Sequence, residues 1–167
     1  MGFLSNIALW QLNAKPARQN SRQFMNWTEV KTILLLAEPA HLPETRHFLK
    51  QAVADGKQTM TAFVYKGKPG QEPAFDLEHV VVSKKQLTFL GLPQNEVLST
   101  LNSRKPDVLI NLGKPDEITL LALSKWIDAP FKVGSFEHPV FDLSIAETGV
   151  EAFLKQVLVY LNMIKTK

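Results

Sequence analysis

From Lys31 onward, short apolar runs alternate with longer segments of helical periodicity, and this alternation leaves few folds open. The first run, Thr32–Ala37, is continuously apolar and of strand length, which is typical of a strand buried on both faces of a sheet. Residues 44–56 follow with apolar side chains at helical spacing and with Gly56 as a stop signal. Repetition of this strand–helix pattern indicates βαβ units, whose strands pair in parallel through right-handed crossovers.

The alternation continues to the end of the chain. After a second predicted strand at residues 58–65, a loop rich in Gly and Pro spans residues 66–73. Further strands are predicted at residues 79–82, 87–89, 107–112, 131–134 and 141–146, and further helices at residues 95–104, 115–126 and 150–164. We therefore predict an α/β fold, a three-layer sandwich with an open, mainly parallel sheet of about five strands, Rossmann-like or flavodoxin-like.

Residues 1–28 differ in character and are predicted to form a basic N-terminal arm ahead of a single α/β domain at residues 29–167. The arm begins as an amphipathic helix that ends near Pro16 and packs on its own domain or on a second subunit. An interfacial helix on a membrane surface is the alternative. The apolar side chains at helical spacing are Phe3, Leu4, Ile7, Ala8 and Leu12, joined by Trp10, and the basic ones that follow are Lys15, Arg18 and Arg22.

Charge and composition exclude several classes of function. The formal net charge of +3 is accounted for by the three basic side chains of the arm, which holds no acidic residue. The domain itself is neutral, which argues against a broad nucleic-acid-binding face. The absence of cysteine removes disulfides, thiolate metal sites and cysteine nucleophiles. No apolar run approaches the roughly 18 residues of a membrane span, and no secretory signal is recognised, so we predict a cytoplasmic protein.

Polar side chains follow three of the predicted strands. In open α/β sheets, ligands bind beyond the carboxyl ends of the strands, near the point where the strand order reverses. A carboxylate, an amide, a lysine and a histidine converging there would bind a small polar ligand, although polar loops at strand ends are also common without any ligand. The candidate ligand-binding residues are Glu38, Asn111, Gly113, Lys114, Ser135, Glu137 and His138.

Motifs for metal, phosphate and nucleophilic chemistry are missing. His41, His47 and His79 lie apart without ligand spacing, so no metal site is predicted. The loop after the first strand has no glycine, unlike a dinucleotide fingerprint or P-loop, and no Gly-x-Ser-x-Gly occurs. His138 precedes Pro139 in a loop, so we expect it to be exposed and to keep its ordinary pKa. No catalytic residue or cofactor is assigned.

Two resemblances follow from these segments. Residues 89–93, 107–112, 131–134 and 141–145 together resemble a family of small uncharacterised proteins from bacteria of the Bacteroidetes group. The resemblance implies a single domain, and the family has no assigned activity to carry over. Residues 107–134 also resemble the N-terminal domain of heptosyltransferase-like glycosyltransferases, through the spacing of Asp107, Asn111 and Gly134. Those enzymes bind the donor nucleotide largely in a second α/β domain, which this chain is expected to lack, so the resemblance does not carry the activity over.

Three functional hypotheses remain, from different classes. The missing catalytic signatures and the basic arm favour a non-catalytic binding or protein-interaction module, with residues 1–28 binding a protein partner or forming a homodimer. The alternative is a small enzyme or ligand sensor that binds a phosphorylated or nucleotide-like molecule at the carboxyl ends of the strands. A peripheral contact of the arm with membranes or nucleic acid is a third, minor reading. Whether the protein is an enzyme stays open.

Overall fold

The computed structural model describes residues 3–14, 23–147 and 149–165. Within these residues the chain forms six β-strands and five α-helices. The strands are β1 (Thr32–Ala37), β2 (Gln58–Tyr65), β3 (His79–Ser83), β4 (Val108–Asn111), β5 (Phe131–Gly134) and β6 (Leu143–Ser144). The helices are α1 (Phe3–Ala14), α2 (Leu42–Ala54), α3 (Asn95–Asn102), α4 (Ile118–Trp126) and α5 (Val150–Met163).

The strands form one open sheet in the order β3-β2-β1-β4-β5-β6. Every neighbouring pair is parallel, and Leu36 of β1 lies opposite Asn111 of β4. The chain thus winds outward from β1 in one direction and from β4 in the other, as in doubly wound α/β folds. The predicted α/β class, the parallel sheet and the sandwich architecture are confirmed, with six strands rather than about five among the described residues.

Helices cover both faces of the sheet because the strand side chains alternate. Leu34 and Leu36 of β1 pack with α1, α3 and α4 on one face. Ile33 and Leu35 pack with α2 and α5 on the other. Because both faces are covered, β1 is apolar at successive positions, which is why its sequence shows a continuous run rather than an alternation.

The strand predicted at residues 87–89 is wrong. Leu87 forms an isolated bridge to Pro93 across a tight turn, in which the Gly91 amide donates to the Thr88 carbonyl at 2.9 Å. Gly91 has a φ of +83°, a conformation that glycine adopts without strain. Phe89 stands at the tip of this turn with 86% of its surface exposed. Its β propensity was overridden by the turn that Gly91 allows.

Two predicted boundaries also need correction. The helix predicted from Pro115 begins at Ile118, because Lys114 to Glu117 form a turn closed by the Glu117 amide donating to the Lys114 carbonyl. The fixed φ of Pro115 suits such a turn as well as a first helical turn. The strand predicted at residues 141–146 is confined to β6, where the sheet ends.

The N-terminal helix is confirmed, and it packs on its own domain. Ala8 and Leu12 are buried against α4, and the Lys125 ammonium donates to the Leu12 carbonyl at 2.8 Å. The segment before β1 is attached as well, since the Trp27 amide donates to the Leu161 carbonyl at 3.1 Å. The basic side chains of the arm lie outside the described residues, so the predicted boundary at residue 28 stays a prediction. No helix in the described part of the chain is long and apolar enough to cross a membrane.

Candidate functional site

The strand order reverses between β1 and β4, and this point defines the candidate site. The chain leaves β1 toward α2 on one face and leaves β4 toward α4 on the other. The two connections therefore diverge and open a crevice above the carboxyl ends of these strands, where doubly wound proteins bind ligands. Glu38 follows β1 in this crevice, and Gly113 and Lys114 follow β4.

The buried side chain of Asn111 holds the loop after β4 in place. Its side chain is fully buried, and its Nδ2 donates to the Ser124 Oγ at 2.8 Å and to the Leu120 carbonyl at 3.3 Å. Its Oδ1 accepts the Gly113 amide at 2.6 Å. Because both ends of the amide are bonded within the protein, Asn111 positions the loop and has no free group for a ligand.

Gly113 is required by close packing. A Cβ at this position would stand 2.6 Å from Cδ1 of Leu120 and 2.9 Å from Oε2 of Glu117, both closer than real Cβ contacts. The missing side chain lets the β4 loop pass directly over α4 and brings the Glu117 carboxyl to the crevice floor. Ser135, at the end of β5, fastens this loop from the other side by donating its hydroxyl to the Gly113 carbonyl at 3.0 Å.

A pocket of about 330 Å³ opens beside this loop, and we call it the switch-point pocket. Three ionisable residues of different kinds, His41, Lys114 and Glu147, are among those that line it. The start of α5 and several apolar side chains complete the wall. The remaining lining residues are Leu112, Gly113, Pro115, Ser135, Phe136, Gly149, Val150 and Phe153.

The carboxyl groups of Glu38 and Glu117 meet at the junction of β1 and β4. The pKa of Glu117 is raised to about 7, mainly by burial and then by the charge of Glu38 and a hydrogen bond with it. Oε2 of Glu117 is buried and receives no N–H or hydroxyl donor from the described residues. Because its pKa is about 7, Glu117 is partly protonated at neutral pH and can share this proton with Glu38 in a hydrogen bond, so the pair carries less than two negative charges.

His41 is held as a neutral imidazole at the rim of the switch-point pocket. The backbone amide of Glu38 donates to its Nδ1 at 3.2 Å, which leaves the proton on Nε2 in the neutral ring. Burial lowers the pKa of His41, outweighing the opposite effect of Glu38 and Glu44. The Nε2–H is therefore an uncharged donor, and His41 reaches the site because it ends the 3-10 turn Pro39–His41 that follows β1.

Glu137 and His138 lie in a different depression, together with Phe141 and Asp142. His138 is partly buried rather than exposed, with its Nδ1 accepting the Val140 amide at 3.1 Å and its ring edge-on to Phe141. Burial lowers the pKa of His138, and nearby Lys125 lowers it further, so the expectation of an ordinary pKa is wrong. The loop after β5 turns toward β6 and carries these residues away from Lys114.

The crevice thus gathers Glu38, Gly113, Lys114 and Ser135 from the predicted set. Sequence reasoning missed Glu117, Glu147 and, as a site residue, His41. The sequence positions of His41 and Glu117 could have indicated them, because each lies three residues after a predicted site residue, Glu38 or Lys114. No local signal pointed to Glu147, which arrives from the loop before α5. Among the described residues, no group of three or more His, Asp and Glu side chains is arranged to hold a metal ion.

Comparisons with known proteins assign no chemistry to this site. One family model matches residues 5–164, and the family that it describes is one of unknown function. No curated protein and no solved structure matches the chain significantly. The match covers nearly the whole chain, so it shows family membership, and the activity has to be inferred from the site.

Proposed function

The chain belongs to DUF6913, a family of unknown function, so we propose a function from the geometry and charges of the crevice. The domain binds a small polar molecule in the switch-point pocket, as a ligand-binding module without a reaction of its own. The observation that carries this proposal is that Lys114 and Glu147, two residues of opposite charge, line the same pocket of about 330 Å³. That volume lies within the range of about 300–1,000 Å³ that small-molecule sites occupy.

The charges around the pocket favour a zwitterionic or uncharged ligand. Lys114 offers one positive charge, Glu147 one negative charge, and His41 an uncharged N–H donor. An ammonium group near Glu147 and a carboxylate near Lys114 would each find an opposite charge. The apolar part of the wall, which includes Phe136 and Phe153, provides contacts for the body of the ligand.

A phosphorylated or nucleotide-like ligand receives less support. Glu147 and the Glu38–Glu117 pair together bring more than one negative charge to the crevice, and this charge repels phosphate oxygens. The Gly113 amide, which a phosphate loop would direct at its ligand, already donates to Asn111. The resemblance of residues 107–134 to glycosyltransferases adds little, because Asp107 is bonded to the backbone amides of Lys31 and Thr32.

The proposal is tested by substituting Lys114 and screening three ligand classes by thermal shift and calorimetry: free amino acids, uncharged polyols, and nucleotides with sugar phosphates. A ligand at 100 times its Kd adds roughly 2.7 kcal/mol to the free energy of unfolding, a shift of several degrees. We expect a zwitterionic or uncharged ligand to raise the Tm of the wild type. Lys114→Ala should weaken its binding about tenfold, since a charged hydrogen bond is lost.

Lys31→Ala is the matched control for Lys114→Ala, because Lys31 is also exposed but precedes β1 at the opposite edge of the sheet. It should leave binding unchanged. Binding of a nucleotide or sugar phosphate that depends on Lys114 would replace the proposed ligand class with the alternative one. A screen without any shift, or a ligand indifferent to Lys114→Ala, would contradict the proposal.

A second candidate function is association of two copies through α1. Trp10 on this helix is 69% exposed although Ala8 and Leu12 beside it are buried, so α1 presents apolar surface on its outer side. If two copies pair there, wild-type protein should show a dimer in light scattering at tens of micromolar concentration, and Trp10→Ser should shift it to monomer. Val159→Ser, which changes another exposed apolar side chain on α5, is the control. A wild-type monomer would contradict this candidate.

A further inference from the structure

A second cavity, of about 350 Å³, shares Pro115 with the switch-point pocket. It lies between α1, the turn that carries Phe89 and the loop before α4, and we call it the apolar pocket. Asp116 is the charged residue on a wall that is otherwise made of apolar side chains. The lining residues are Leu4, Ala8, Leu9, Phe89, Leu90, Pro115, Asp116 and Ile118.

The two pockets adjoin across the carboxyl edge of β4. The switch-point pocket is bordered by the start of α5, and the apolar pocket is bordered by α1, and these helices cover opposite faces of the sheet. Residues 114–116 cross the edge between them, with Lys114 on the first pocket and Asp116 on the second. A single ligand lying over Pro115 would therefore contact both pockets at the point where the sheet reverses its strand order.

Phe89 lines the apolar pocket from a turn whose backbone is held in place. The turn that carries it is closed by hydrogen bonds of the Thr88 and Gly91 amides, and the Thr119 hydroxyl donates to the Gly91 carbonyl at 2.6 Å. The turn is thus tied to α4, yet Phe89 is 86% exposed and Leu4 across the pocket is 56% exposed. Covering these two side chains with an apolar group would be favourable because it removes their surface from water.

We propose that the ligand is an amphipathic small molecule, with a zwitterionic head in the switch-point pocket and an alkyl body that crosses Pro115 into the apolar pocket. This inference rests on the proposed function for the head and adds a second subsite for the body. Asp116 disfavours a second negative charge at the apolar end, which places the charged head beside Lys114 and Glu147.

The test is a calorimetric titration with three α-amino acids of increasing chain length: alanine, norleucine and 2-aminodecanoic acid, kept below the concentration at which it forms micelles. In the wild type we expect the Kd to fall at least about tenfold from norleucine to 2-aminodecanoic acid, because the added methylenes are buried. Phe89→Ser should abolish most of this gain. Lys114→Ala should weaken the binding of the two longer amino acids by a similar factor, since it acts on the shared head.

Met163→Ser is the control for Phe89→Ser, because Met163 is 66% exposed at the far end of α5. Decanoate and decylamine, which carry half of the head each, should bind more weakly than 2-aminodecanoic acid. If Lys114→Ala weakens binding but the Kd does not change with chain length, the apolar subsite is overturned and the proposed function still stands. The proposal of an amphipathic ligand is also overturned if 2-aminodecanoic acid does not bind. The same holds if 2-aminodecanoic acid, decanoate and decylamine all bind tightly to both the wild type and Lys114→Ala.

Discussion

Asn111 and Glu117 stand at the two ends of the same loop in opposite environments. The Asn111 amide is completely buried, and both its oxygen and its nitrogen are bonded to the protein. The Glu117 carboxyl has a buried oxygen without a conventional donor, and its pKa is raised to about 7 by burial and by Glu38. The first residue makes the loop rigid, and the second leaves a titrating group at the crevice.

Substitution of Glu117 by Gln should change how stability depends on pH. The raised pKa means that the Glu117 carboxyl binds its proton more tightly in the folded state than in the unfolded state, where its pKa is the ordinary 4.5. The free energy of unfolding of the wild type should therefore fall as the pH rises from 4.5 to about 7 and then level off. Glu117→Gln should lack this fall and become more stable than the wild type at pH 8, by about 1–2 kcal/mol after allowance for solvent screening.

Urea denaturation of both proteins between pH 5 and pH 8 measures this difference. Glu96→Gln, which changes an exposed carboxyl in the first turn of α3, is the control and should retain the pH dependence of the wild type. If the free energy of unfolding depends on pH in the same way in the wild type and in Glu117→Gln, then Glu117 is ionised throughout this range. That outcome would contradict a proton held at Glu117.

At the scale of elements, α1 offers two leucines in contrasting environments. Leu12 is 2% exposed against α4, and Leu4 is 56% exposed at the apolar pocket. Leu12→Ala should lower the free energy of unfolding by about 2–4 kcal/mol, because a buried side chain is lost and a cavity remains. Leu4→Ala should cost less than about 0.5 kcal/mol.

Chemical denaturation together with hydrogen exchange of the α1 amides checks this pair of leucines. Loss of protection confined to α1 in Leu12→Ala would show that the helix can detach while the sheet stays folded. Equal and small effects of the two substitutions would mean that α1 is not docked on α4 in solution, and would contradict the packing described here.

The corrected elements share a cause. Residues 87–89 carry β-forming side chains, but the turn centred on Gly91 and its bond to Thr119 bend the chain before a strand can pair. Proline is common in the first turn of a helix, which is why the sequence predicts a helix from Pro115. Here the Gly113 amide donates to the Asn111 side chain, and this hydrogen bond holds the preceding residues in a tight loop. In both places, a contact with a distant or buried group outweighed a weak local preference.

At the scale of the whole molecule, the order of the strands decides what the site contains. With β1 beside β4, Glu38 meets Glu117, and with α5 packed on α2, the loop before α5 brings Glu147 toward Lys114. The connection from β5 to the edge strand β6 carries His138 outward. The polar residues that follow the strands look equivalent in the sequence, but the fold places some of them at the crevice and others in a separate depression.

The sequence alone determined the α/β class, the parallel pairing and the positions of β1, β2, β4 and α5, because these depend on local periodicity and on apolar runs of strand length. It also placed Glu38, Gly113, Lys114 and Ser135 at strand ends. Only the tertiary structure decided the strand order, the Glu38–Glu117 pair and the shared wall of Lys114 and Glu147. These features join residues far apart in the chain, and such contacts depend on how helices and strands pack together, which local patterns do not specify.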